Sequence, residues 1–170
     1  MSLTSVLFVC TGNICRSPMA EMMWNYDGGL LPASSAGLEA ETGNPIDRRA
    51  ASVLKSAGIT VTPFVARQFT FPLAQDNVVI TMTQTQEAKV ASLVPSAYPR
   101  TFTLNKLACL INLHPDKPLT YLHQRRNQAS SFEIADIADP VHSSEAVFRS
   151  IAVEIQDALD VLKESPIFLR

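Results

Sequence analysis

The chain has 170 residues, 46% of them hydrophobic, which fits one domain with a sizeable buried core. Its 14 Lys and Arg stand against 16 Asp and Glu, a net charge of −2, so no global basic field points to nucleic acid or an anionic membrane. No apolar run reaches the length of about eighteen residues that a membrane span needs, and no basic segment precedes the first apolar stretch, so a cytoplasmic location is expected. Three cysteines, two of them in one turn, and three histidines have neither the spacing of a secreted disulfide framework nor that of a metal site, and no metal or cofactor is expected.

In chain order, Val6, Leu7, Phe8 and Val9 make a short apolar run that predicts a strand ending at Cys10. Thr11, Gly12, Asn13, Ile14 and Cys15 follow as a tight turn, and Ser17 with Pro18 suits an N-cap and first helical position. A strand emptying into a helix through such a loop is an anion site. Its first N–H groups lack intrahelical acceptors, and the macrodipole adds partial positive charge at the same spot. Gly12 lets the backbone curl so that N–H groups converge, and Asn13 tolerates left-handed dihedrals. Without a Gly-Lys-Ser/Thr ending the loop is not a Walker nucleotide site. Cys10 opens it and Arg16 closes it. N–H dipoles, the helix end and a guanidinium all favour thiolate over thiol, and the planar fork of Arg16 matches two oxygens of a phosphoryl group. The pair reads as a nucleophile and its clamp.

A helix carrying Met19, Met22, Met23 and Trp24 on a packing face runs to about Tyr26 and is stopped by Asp27, Gly28 and Gly29. A second strand is predicted over 33–36, then a loop over 38–44. A helix opens at Pro45 with Asp47 as N-cap and closes at Ala57 and Gly58. The run 77–82 is almost continuously apolar, as in a strand covered on both faces. Thr83 caps a helix to Leu93, a fourth strand lies over 100–104, and 105–111 is helical, with Cys109 in its core. Residues 114–137 read as a solvated connection with a short helix and exposed His114 and His123, or alternatively as a docking surface built on Arg125 and Arg126. Ser143, Ser144 and Glu145 start a long helix whose Val147, Ile151, Ile155, Leu159 and Leu162 share one face. Strands alternating with helices predict an α/β fold, a three-layer α/β/α sandwich with a four-stranded parallel sheet, whose ligands bind beyond the strands' carboxyl ends.

The run from Cys10 through Arg16, Ser17, Pro18, Met19 and Ala20 to Glu21 resembles the signature of the low-molecular-weight protein tyrosine phosphatases. Fainter echoes continue in Ser35-Ala36-Gly37, in Pro45, Asp47, Arg49 and Ala50, in Ala66-Arg67-Gln68, and in Asp139-Pro140. The resemblance implies a phosphatase/flavodoxin-like fold over 1–170 as a single domain. It also implies hydrolysis of phosphotyrosine through a cysteinyl-phosphate: Cys10 attacks, Arg16 and the 11–16 amides hold the phosphoryl oxygens, and Asp139 acts as general acid and then base, with Asp136 its rival. Thr11, Gly12, Asn13, Ile14, Cys15 and Ser17 would surround the substrate, with Ser17 bonded to the thiolate and Asn13 bracing the loop. The 38–44 loop would wall the cleft and Arg67 would hold loops together. The resemblance further implies phosphotyrosine proteins as substrates, a tyrosine kinase as a possible partner in the cell, and a reversible Cys10–Cys15 disulfide, set against a plain buried thiol at Cys15.

Ile14 stands where phosphoarginine-directed relatives resemble one another in carrying threonine, which favours phosphotyrosine. Val141 and His142 stand where tyrosine-directed members usually place an aromatic residue, so the phenyl ring would rest between Ile14, Leu38, Val141 or His142. Two rival readings follow. A thiol-dependent arsenate reductase needs two further cysteines, and only Cys109 lies outside the loop. A phosphoprotein-binding module without turnover would keep the loop alone.

Overall fold

Strands β1 (Ser5–Cys10), β2 (Ala33–Gly37), β3 (Asn77–Thr81) and β4 (Thr101–Thr103) form a parallel sheet in the order β2-β1-β3-β4. The computed structural model describes residues 3–28, 30–130 and 132–169; Met1, Ser2, the helix-stopping Gly29, Ser131 and Arg170 lie outside the described residues. β1 is interior, with Cys10 level with Gly37 on one side and Val9 level with Thr81 on the other. The direction in which strands are added reverses between β1 and β3, so the crevice at the carboxyl end of β1 is the switch point where ligands of such sheets bind.

The central strands are apolar on both faces because both are covered. Val6 and Phe8 join a large core with helices α1 (Arg16–Tyr26), α2 (Arg48–Ser56), α5 (Leu104–Leu113) and α8 (Glu145–Lys163). Leu7, Val9 and Val79 point the other way, onto the short α3 (Phe71–Ala74), α4 (Gln84–Leu93) and the 3-10 turn Pro95–Arg100. The predicted three-layer sandwich is the observed one. The caps expected at α2 and α4 are also present. Asp47 accepts from the Arg49 N–H, and Thr83 forms a reciprocal capping box with Gln86.

Three expectations are corrected. First, α1 starts at Arg16 with Cys15 in the N-cap place, so Ser17 is not a cap and Pro18 is the third helical residue. Proline is harmless there because a first-turn N–H has no intrahelical acceptor. Second, Val147 is 40% exposed, and Phe148 takes its place in the buried stripe of α8. Four-residue steps drift by about 40° each against a 3.6-residue turn, which carries the first member of the predicted series off the face.

Third, 114–137 is largely the solvated connection expected, but with two short helices where one was expected and with Arg126 and the histidines drawn inward. It carries α6 (Leu119–Gln124) and α7 (Arg126–Ala129). Arg126 is no docking cation: it pairs with Glu87 at 3.2 Å and lies 4.1 Å over the Tyr98 ring and 4.7 Å over that of Phe102. His114, bonded to Gln128, and His123, edge-on to Tyr98, are half-buried rather than exposed. Burial, then the Arg126 charge, lowers the pKa of His123.

Candidate active site

The turn after β1 is held from outside by its carbonyls. Leu38 N–H donates to Cys10 O, Glu39 to Thr11 O, Glu41 to Gly12 O and Asp47 to Ile14 O, at 2.9, 3.0, 2.9 and 2.8 Å. In a trans planar peptide the N–H points opposite to the C=O. Turning those four carbonyls outward therefore turns the amides of residues 11, 12, 13 and 15 inward, where the positive end of α1 also points. The left-handed residue is Asn13, with φ +57, and Gly12 does not have a positive φ. Glycine is instead demanded at Gly37, where a Cβ would stand 2.5 Å from Thr11 O and 3.0 Å from Asn13 N. The turn therefore leans on β2 at a point where only a bare Cα fits.

The Cys10 sulfur is 2.9 Å from Ser17 Oγ and 3.3 Å from Asn13 N, and it is almost wholly buried. Behind it runs a chain of bonds whose directions are fixed at both ends. Arg67 N–H donates to Asn13 Oδ1, so the Asn13 amide group must donate, and it does so to Ser17 Oγ and Ser35 Oγ, each at 2.9 Å. The Ser35 hydroxyl donates onward to Glu21 at 2.6 Å. Ser17, already accepting, has its own proton free to give to sulfur. Burial raises the Glu21 pKa, while the Ser35 hydrogen bond and Arg67 act the other way. Arg67 also donates through Nε to Ser35 O, the loop-holding role expected of it.

Arg16 is buried across the cleft from this sulfur, 3% exposed. Its Nη1 donates to Ile137 O at 2.9 Å and its Nη2 to Asp139 Oδ2 at 3.0 Å. Ile137 N–H in turn bonds Met82 O, just beyond β3, which ties the Asp139 turn to the sheet. Ser143 N–H closes that turn onto Pro140 O, Val141 N–H caps Asp139 Oδ1, and His142 takes a φ of +66 between them. The Asp139 side chain is 46% exposed at the cleft mouth. Asp136 sits elsewhere, accepting from Gln84 N–H at the start of α4.

The resulting cleft, about 220 Å³, is walled by the 10–16 turn, Glu39, Glu41, Asp139, Val141 and His142. Cys10, Arg16 and Asp139, separated by up to 129 positions in the chain, meet here. Thr11, Gly12, Ile14 and Cys15 line the cleft as well, whereas Asn13 and Ser17 stand behind it. Leu38 does not form the lip; it packs against the core on the α4 side of the sheet. Two carboxylates, Glu39 and Glu41, hold the wall instead, and nothing in the spacing of a loop signals which of its exposed residues face inward. Ser35, the buried hydroxyl of β2, carries the chain behind the sulfur, and its half-buried neighbour Ser34 leaves the sequence no signal for which of the two points inward.

Cys15 has its pKa pushed up to about 12, first by burial and then by the negative fields of Asp47, Cys10 and Asp139, so it is a thiol at neutral pH. Burial raises that of Cys109 too. A larger cavity, about 540 Å³, opens at the opposite end of the sheet between Leu3, Pro99, Pro118 and Pro166. It contains neither a cysteine nor a histidine. Among the described residues no three His, Cys, Asp or Glu side chains are grouped so as to hold a metal ion.

The family described as low molecular weight phosphotyrosine protein phosphatase matches residues 5–112. The low molecular weight protein-tyrosine-phosphatase Ptp of Acinetobacter johnsonii is 33% identical over 105 residues, 61% of this chain and 74% of that one. In structure, the low molecular weight protein tyrosine phosphatase of T. tengcongensis aligns with a TM-score of 0.76 at 29% identity, over 94% of this chain and 97% of that one. The arginine phosphatase of Geobacillus stearothermophilus also aligns with a TM-score of 0.76 at 29% identity, over 94% and 90%.

Proposed function

The chain belongs to the low molecular weight phosphotyrosine protein phosphatase family, and from that premise we propose that it hydrolyses phosphotyrosine in proteins through a phosphorylated Cys10, with 1–170 acting as one domain. The observation that carries this is the sulfur of Cys10 facing the inward amides of its own turn, with a hydrogen-bonded Ser17 hydroxyl behind it and the Arg16 fork across from it.

The Cys10 thiolate attacks phosphorus in line. The S–P bond forms as the P–O bond to the phenol breaks, and protonated Asp139 gives its proton to the departing oxygen. Arg16 and the amides bear the charge on the three remaining oxygens, which requires Arg16 Nη2 to exchange Asp139 for phosphoryl oxygen. Asp139, now a carboxylate, takes a proton from water. The hydroxide equivalent attacks phosphorus, the S–P bond breaks, and inorganic phosphate leaves with Cys10 again a thiolate. The family match ends before Asp139, so its role rests on its 3.0 Å contact with Arg16 and its place at the mouth. For arsenate reduction Cys109 would have to relay electrons, yet it packs against the core rather than lining the cleft.

The test is hydrolysis of aryl phosphates. Activity should vanish in Cys10→Ser, and quenched wild-type enzyme should carry one phosphoryl group on the Cys10 peptide by mass spectrometry. Asp139→Asn should lower kcat/KM by roughly 10²-fold for poor leaving groups. A wild-type chain that binds phosphopeptides but never turns them over would instead identify a binding module. One observation favours a second substrate. Glu39 and Glu41 beside the anion turn suit a cationic group next to the phosphoryl, as in phosphoarginine, whereas Ile14 favours the phenyl ring. Matched phosphotyrosine and phosphoarginine peptides decide between them. Among the described residues no helix is long and apolar enough to cross a membrane, and the cytoplasm, with a tyrosine kinase supplying the substrate, is the setting proposed.

A further inference from the structure

We propose that Arg49 is a positioning residue for the acid at Asp139, an assignment that rests on the phosphatase reading above. Arg49 lies on the first turn of α2, far in sequence from the acid and outside the cleft lining. Its Nε and Nη2 hold Asp47 Oδ1 and Oδ2 at 3.1 and 2.8 Å, while Nη1 donates to Ser143 O at 2.8 Å. The guanidinium also lies 4.5 Å over the ring of Phe148, in the first turn of α8. Asp47 is itself fixed to the anion turn through its N–H to Ile14 O. One guanidinium therefore ties the wall that carries the nucleophile to the far end of the turn that carries the acid.

The near end of that turn is held by Arg16, through Ile137 O and Asp139 Oδ2. Catalysis withdraws part of this support, because Arg16 must turn Nη2 from Asp139 to the phosphoryl oxygens. At that moment the Asp139 turn is fixed at its far end by Arg49, whose fork is committed to Asp47 and Ser143 and gives nothing to substrate. A displacement of the order of 1 Å in a proton donor is enough to lose much of its effect.

The experiment is a leaving-group series of aryl phosphates, from nitrophenyl to unsubstituted phenyl, read as kcat/KM, which reports formation of the phosphocysteine. Arg49→Ala should cost about tenfold or more for phenyl phosphate and less than about threefold for nitrophenyl phosphate, which hardly needs a proton. Arg49→Lys, able to reach one of the two partners, should give an intermediate slope, and it serves as the readout if the alanine variant does not fold. Phe148→Leu is the control. It removes the ring beneath the guanidinium and should lower Tm without steepening the slope. Equal losses across the series, or none, would overturn the assignment of Arg49 while leaving Cys10-dependent turnover intact. A wild type inert to every aryl phosphate would overturn the phosphatase reading and this one with it.

Discussion

At the scale of single residues, the site depends on two positions that do no chemistry. Asn13 uses every polar atom of its side chain and a left-handed backbone to fix the direction of the bonds behind the sulfur. Gly37 lends the turn its support by having no side chain. A Cβ there would stand 2.5 Å from a backbone oxygen, which cannot step aside as the end of a flexible side chain can. Gly37→Ala should therefore displace the turn rather than unfold the sheet. We expect kcat/KM for an aryl phosphate to fall by about 10²-fold, as after loss of a main-chain oxyanion contact, and affinity for vanadate to fall in parallel while the far-ultraviolet circular dichroism is unchanged. An alanine variant with full activity would show that the turn does not need the strand beneath it.

At the scale of elements, the helix starts are where local sequence and active-site geometry meet. Asp47 caps α2 and receives the Arg49 fork, and these hydrogen bonds, with that charge, lower its pKa below the ordinary value of 3.8 against the opposing effect of burial. A carboxylate depressed in the folded state stabilises the fold fully above its unfolded pKa, and that contribution is lost as pH falls through the folded value. Asp47→Asn keeps the cap and removes the charge, so its urea midpoint should lie closest to the wild type's near pH 3 and furthest below it at pH 7. Asp47→Ala loses the cap as well and should cost about 1 kcal/mol at neutral pH. If the asparagine variant follows the wild type at every pH, the ion pair contributes nothing.

The same elements show what could be read in the chain beforehand. The caps at Asp47 and Thr83, the strand at 77–81 and the turn from Cys10 to Arg16 are set by neighbours in sequence, and all were legible. The start of α1 was not, because Ser17 looks like a cap until the sulfur of Cys10 is found to claim its hydroxyl. Nor was the use of Arg126, whose aromatic and acidic partners come from the Pro95–Arg100 turn, β4 and α4. The acidic wall was hidden for the same reason: Glu39 and Glu41 acquire their orientation only when their N–H groups dock on the carbonyls of a turn almost thirty residues earlier.

At the scale of the whole molecule, the end of the chain is bound to its beginning. After α8 the 3-10 turn Pro166–Phe168 returns to the sheet, and Phe168 packs edge-on to Trp24 at 5.1 Å, with Phe8 of β1 on that indole at 5.9 Å. Leu31 N–H donates to Phe168 O at 2.9 Å, and the Trp24 indole N–H donates to Leu31 O at 2.8 Å. This places the last turn between α1 and the strand that follows it, so the helix bearing Arg16 at its start is braced at its far end, at Trp24, by a residue 144 positions later. Phe168 is fully buried, and Phe168→Ala should cost about 3–5 kcal/mol, a large share of the 5–15 kcal/mol typical of a domain. Trp24, the one tryptophan, reports it directly: its emission should shift to the red at a temperature where the circular dichroism is still native, because the indole gains water before the sheet is lost. Hydrolysis of an aryl phosphate should survive well below the lowered Tm, since the cleft lies at the other end of α1. Loss of activity in a chain that remains folded would mean that the brace reaches the anion turn through the helix.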